Sequence, residues 1–160
     1  MKILFIAIAT IFFSCAGNYR NYHNNGGLQL GKPLPTSAVR IDTISGILDE
    51  PNQFKSGIKI NYKGIIYYVC LNKFKKLIYI LTYDPSFSSP DGYKIGDSFS
   101  KLIKSSIIKK TVISGYEVDV LLPSGWNARF ADQAVVQNDD VSDTSKIKSF
   151  YKKLNNLSSC

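Results

Sequence analysis

The chain has 160 residues, a formal net charge of +8 and 44% hydrophobic residues. That length suits one domain with a real core and is too short for two large ones. The many Tyr, Phe and Ile residues exclude a wholly disordered chain. Positive charge is spread in short groups, KFKK at 73–76, Lys109-Lys110 and Lys152-Lys153, with no run of five or six like charges. Solvated faces account for such a spread, and attraction to anionic headgroups or an acidic partner is the functional alternative.

Residues 1–15 read MKILFIAIATIFFSC: Lys2, then an unbroken apolar run from Ile3 to Phe13, then Ser14 and Cys15. This is a signal peptide in outline, because the run is far shorter than the roughly 20 residues of a membrane-spanning helix. Ser14-Cys15 resembles the lipobox of bacterial lipoproteins, in which a small residue precedes the cysteine that receives diacylglycerol. Phe12 and Phe13 stand where that pattern usually has Leu and a small residue. The resemblance implies cleavage after residue 14, a lipid on Cys15, and a formal charge of 19 minus 12, or +7, once Lys2 is lost. Residues 15–27 are rich in Asn and Gly and lack a hydrophobic pattern, so they read as a flexible tether. Ala16 is not the Asp that retains lipoproteins in the inner membrane of enteric bacteria, and no acidic export run follows. The expected address is therefore the outer membrane, facing the periplasm, a setting in which nucleic acid is a poor partner.

Residues 28–160 read as a single domain. Pro35 to about Ile41 is expected as a short helix. Gly57–Tyr62, Ile65–Leu71 and Leu77–Thr82 are runs rich in Ile, Tyr and Val, broken at Lys63-Gly64 and at 72–76, which predicts a meander. Asp97 or Ser98 caps a predicted helix to about Ser106, with Phe99, Leu102 and Ile103 on one face. Ile107–Ile113, Tyr116–Leu122 and Trp126–Phe130 form a second strand series, turning at Ser114-Gly115 and at 123–125. Ile147, Phe150, Tyr151, Leu154 and Leu157 fit a helical stripe, but 146–151 also reads as a strand, which the next comparison favours.

LQLGKPLPTSAVRI at 28–41 and YKIGDSFSKLIKSS at 93–106 share an apolar-Gly-polar entry, with Gly31 and Gly96 separated by 96 minus 31, or 65 residues. The expected fold is α+β, a mainly antiparallel sheet with one or two short helices on one face. Two tandem helix-plus-meander units sharing one sheet are the finer reading. IYILTYDPSFSSPDGYKIGDSFSKL at 78–102, with LLPSGWNARF at 121–130, resembles small uncharacterised envelope lipoproteins of bacteria. More remotely it is similar to the helix-then-meander units of the beta-lactamase-inhibitor-like fold, which includes outer-membrane assembly lipoproteins. The resemblance implies binding or assembly roles and carries over no catalytic residue.

Gly96-Asp97-Ser98 also resembles the opening of the GDS lipases and esterases, whose Ser is a nucleophile. A Ser hydroxyl needs a base to accept its proton, and the one histidine, His23, lies in the tether. Helix capping explains the motif, and the chain is not expected to be an enzyme. Cys70, Cys160 and His23 lack metal-ligand spacing, and Asp139, Asp140 and Asp143 lack a calcium-loop pattern, so neither metal nor cofactor is expected. Once Cys15 is acylated, Cys70 and Cys160 remain as a candidate disulfide, with Cys70 as a buried small hydrophobe the other reading. Glu117 and Asp119 share a face of their strand, as a carboxylate pair or as charges in water. Trp126, Tyr93 and Phe87 are the candidate partner-binding aromatics, with closure of the core the alternative. The expected function is a lipid-anchored, non-enzymatic module for an unidentified protein partner. The alternative is a periplasmic inhibitor or immunity protein against a toxin or hydrolase.

Overall fold

Branched and aromatic side chains favour the pleated chain, where they pack on one side of a strand. The computed structural model describes residues 27–50, 53–103, 109–113, 117–131 and 141–154. In chain order they form β1 (Val39–Glu50), β2 (Gln53–Tyr62), β3 (Ile65–Leu71), β4 (Leu77–Thr82), α1 (Phe99–Ile103), β5 (Lys109–Ile113), β6 (Glu117–Leu121), β7 (Asn127–Phe130) and β8 (Ser149–Lys153). The eight strands make one antiparallel sheet in the order β1-β2-β3-β4-β8-β7-β6-β5.

The expected α+β class is corrected by this sheet, which makes the fold essentially all-β. The segment 35–41 is no helix: Ala38 N–H bonds to Pro35 O in a turn, and β1 starts at Val39. The β-branched residues Val39, Ile41, Thr43 and Ile44 favour that extended course. The second helix is real but has five residues, too few to build a layer. Loops do the covering instead. Leu30, Leu34, Phe87, Tyr93, Ile95, Leu122, Trp126 and Ile147 pack on one sheet face against Ile60, Val69, Ile80, Val118, Ala128 and Phe150.

The helix-plus-meander units are corrected in the same way, to two four-stranded meanders, each led by a glycine turn. Gly31 N–H bonds to Leu77 O and Leu77 N–H to Lys32 O; Gly96 N–H bonds to Ile147 O and Ile147 N–H to Asp97 O. Isolated bridges Pro33↔Lys76 and Ser98↔Lys146 complete the correspondence. Leu77 thus corresponds to Ile147, a step of 147 minus 77, or 70 residues, and the same step carries Leu81 onto Tyr151. Leu81 and Tyr151 are paired across β4 and β8. A local two-fold axis therefore passes between these two residues, relating the halves of the sheet.

At that junction β4 is buried along its whole length, LIYILT. A register shift in the β3–β4 pair, where Cys70 meets Tyr79 but Leu71 meets Leu77, leaves Ile78 as an extra residue. Leu77 and Ile80 consequently serve the large core, while Ile78, Tyr79 and Leu81 join Cys70 and Tyr151 in a smaller cluster. A strand buried on both faces reads as a continuous apolar run rather than an alternation.

Candidate functional site

The second sheet face differs from the first in carrying charge. Asp119 lies opposite Arg129 in the β6–β7 ladder, and Arg129 opposite Ser149 in β7–β8, so their side chains share that face. Arg129 donates from Nε to Asp119 Oδ1 at 2.9 Å and from Nη2 to Asp119 Oδ2 at 3.2 Å. Its Nη2 also lies 2.6 Å from Glu117 Oε1. Tyr151 donates its hydroxyl to Asp119 Oδ2 at 2.7 Å, and the Arg129 guanidinium sits 4.5 Å above the Tyr151 ring. Tyr79 stacks on Tyr151 at 5.8 Å. Asp119 and Arg129 are buried, at 2% and 5% exposure.

A buried forked pair of this kind is tied down by charge-assisted bonds, and either partner alone would be an uncompensated charge. Burial pushes the Glu117 carboxyl up to about 7; the Arg129 cation opposes this and the Asp119 carboxylate adds to it. Burial and Asp119 raise the Tyr151 hydroxyl far above its ordinary value, so it stays protonated and donating. Arg129 is held protonated by its carboxylates against the opposing effect of burial. Within the cluster Ser149 Oγ is buried with no hydrogen-bond partner.

Beside this cluster runs a shallow groove of about 250 Å³ lined by Lys59, Ile66, Tyr68, Tyr83, Asp84 and Pro85. Its walls are set by backbone ties. Thr82 donates its hydroxyl to Ile66 O at 2.8 Å, and Asp84 Oδ2 accepts Ile66 N–H at 2.9 Å, so both neighbours of Tyr83 are fastened to β3. The Ile66 and Ser86 N–H groups hold the Asp84 carboxyl below its ordinary value. Tyr83 itself is 52% exposed and meets Tyr68 edge to face at 5.8 Å. Lys59 Nζ lies 5.9 Å from the centre of the Tyr68 ring. The arrangement offers a fixed aromatic edge with a cation and a carboxylate within one groove, suited to binding.

The candidate aromatics are brought together, but in the core. Phe87, Tyr93 and Trp126 are 5%, 8% and 7% exposed. Phe87 lies 4.9 Å from Trp126 and 5.2 Å from Phe150, with Tyr67 edge-on at 6.1 Å. These residues close one end of the large core in this state. Glu117 and Asp119 do share a face, yet both turn to Arg129 rather than to water, and Arg129 is the member that the sequence reading missed. Its signal was register: the turn at 123–125 sets residue 129 opposite 119.

Asp97 accepts Lys94 N–H at 2.8 Å and Lys101 Nζ at 2.7 Å. Burial raises its carboxyl, but the Lys101 and Lys94 contacts outweigh this and lower it overall. Ser98 Oγ meets Ser100 Oγ at 2.9 Å, and the first helical N–H groups, those of Phe99 and Ser100, are taken by the Ser145 and Asp143 carbonyls, so the expected side-chain cap by Asp97 or Ser98 is replaced by a backbone one. Among the described residues no three His, Cys, Asp or Glu side chains converge as a metal site, and no helix is long and apolar enough to cross a membrane. Asp143 is exposed. Cys70 is buried, its Sγ 3.7 Å from Ser56 O. Cys15, His23, Asp139, Asp140 and Cys160 lie outside the described residues, and with them the lipidation site and the proposed disulfide partner.

No protein-family model matches the chain, and no curated protein matches it. Among solved structures, the crystal structure of the uncharacterized protein YfeY from Escherichia coli matches over 78% of this chain and 95% of its own. It shares 13% identity at a TM-score of 0.48, a likeness too slight to carry an argument.

Proposed function

We propose that this is a lipid-anchored, non-enzymatic envelope protein that holds a protein partner through the Tyr83 groove. The sequence Ser14-Cys15 supports the anchor, and the observation that supports the binding role is the half-exposed Tyr83, fastened on both sides to β3. A rigid aromatic with a polar tip loses little freedom on association, which is why tyrosine is favoured at binding hot spots. Lys59 and Asp84 flank it as orienting charges, and the Glu117–Arg129–Asp119 cluster stiffens the adjoining sheet face.

Photocrosslinking in cells tests this. A crosslinker at position 83 is expected to capture one recurring envelope protein, and Lys59→Ala is expected to weaken the capture several-fold. A crosslinker at exposed Lys146 serves as control. Equal labelling from both positions would remove the groove from consideration. The anchor is tested separately by Cys15→Ala, which should release the protein from membranes; continued lipid labelling of that variant would overturn the lipoprotein reading.

A further inference from the structure

The turn between β3 and β4 reads Asn72-Lys73-Phe74-Lys75-Lys76 and is held rigid from within. Asn72 Oδ1 accepts the N–H groups of Phe74 and Lys76, each at 3.0 Å. The Asn72 N–H bonds to Lys76 O and the Lys75 N–H to Asn72 O, each at 2.9 Å. This frame points Phe74 outward at 69% exposure, the highest of any large apolar side chain among the described residues. Lys73, Lys75 and Lys76 are all exposed, and Lys73 Nζ lies 5.2 Å from the Phe74 ring centre.

Two observations, the unpaired cations and the entry of residues 31–33, set this turn apart from an ordinary wet loop. Lys75 has φ of 58°, a left-handed conformation that glycine or asparagine adopts more easily and that Lys63 of the β2–β3 turn shares at 54°. Among the described residues no carboxylate pairs with Lys73, Lys75 or Lys76, nor with exposed Lys32. Lys32 belongs to the same end of the molecule, because its carbonyl accepts Leu77 N–H at 2.8 Å and Pro33 bridges Lys76. Residues 31–33 therefore enter the fold against this very turn.

We propose that the 72–76 turn is a second membrane contact, seating Phe74 among the headgroups of an anionic bilayer while Lys32, Lys73, Lys75 and Lys76 bind the lipid phosphates. An exposed apolar side chain alone signifies little. One fixed at the tip of a rigid turn and ringed by unpaired cations has the two parts that interfacial binding needs, an apolar wedge and charges drawn to acidic headgroups. Lysine stems suit this geometry, since their methylenes lie along apolar surface while the ammonium reaches outward. The turn's nearness to the bilayer rests on the lipid at Cys15; its chemistry does not. Together the two contacts would fix which way the sheet faces.

The test uses the whole protein purified from producing cells, mixed with excess vesicles of phosphatidylcholine, with or without one part in three of phosphatidylglycerol. Phe74→Trp reports the turn, and subtracting the parent spectrum removes buried Trp126. The expected result is a blue-shifted emission from the introduced indole, quenched by brominated lipid, only in the anionic vesicles and reversed by high salt. Adding Lys73→Glu and Lys75→Glu should weaken this partition by at least about 25-fold, from about fivefold per lysine lost. Solvent-like emission in both vesicles would overturn the proposal and redirect the turn to an acidic protein surface. Quenching that persists in the double lysine variant would overturn it too. Flotation of the parent with neutral vesicles reports the Cys15 lipid, so the anchor and the turn fail separately.

Discussion

Glu117 shows how much one side chain can do in this fold. Its carboxyl keeps a proton in the native state up to about pH 7, whereas in the unfolded chain it ionises near its ordinary 4.5. Between those values folding takes up a proton, so stability is greatest below pH 4.5, declines as pH rises through the window, and levels off above 7. Asp84 and Asp97 are shifted downward, so their contributions have the opposite sign and are lost only below the ordinary carboxylate range. Urea midpoints measured from about pH 4.5 to 8 should therefore fall, and Glu117→Gln should flatten that slope. A slope unchanged by the substitution would mean that Glu117 is not the group that titrates. The acidic pair was readable in the sequence as a period-two pattern, but its meaning was not. Whether residues 117 and 119 face water or an arginine depends on a partner ten residues further along and one strand away.

At the scale of elements, short strands were legible wherever one side is apolar and a turn residue breaks the run, as in IIYYVCL and EVDVL. The first strand was not legible, because Pro35 and the preceding glycine imitate a helix entry. Its β-branched residues were the signal that should have prevailed. Phe99, Leu102 and Ile103 have helical spacing, and a helix does form. It starts only at Phe99 because the backbone of 96–98 is engaged by residues 146–147, a long-range pairing that local spacing cannot reveal, and residues 104–106 of the expected helix lie outside the described residues. Gly31 and Gly96 hold these corresponding corners at φ of 77° and 87°. An added Cβ would meet nothing within 4 Å at either, so the effect of alanine there is a matter of backbone torsion alone. Gly31→Ala and Gly96→Ala should each destabilise by about 1–2 kcal/mol in urea unfolding. Lys75→Gly should do the reverse, by up to about 1 kcal/mol.

Over the whole molecule, the sheet is continuous through one seam, β4 against β8. Phe150 lies on that seam, fully buried, opposite Thr82 on one side and Ala128 on the other. Phe150→Ala should lower stability by about 3–5 kcal/mol, and amide protection in β2–β4 and β5–β7 should fall together in hydrogen exchange. Separate loss of protection in the two halves would show that the seam does not couple them. The glycine spacing in the sequence carried a trace of this symmetry, but the axis itself arises from strand pairing, which no local pattern encodes. The charged cluster and the Tyr83 groove arise within the two meanders, from the register of consecutive strands: β6, β7 and β8 for the cluster, and β2, β3 and the end of β4 for the groove.

That seam also orders events in time. β4 is complete by residue 82, whereas its partner β8, the last strand among the described residues, arrives only with residues 149–153. Until then LIYILT is an apolar strand with one unpaired edge, the kind of segment that recruits other chains. A sheet joined through β4 and β8 cannot close before residues 149–153 are available, so its first half would need shelter from other chains until then.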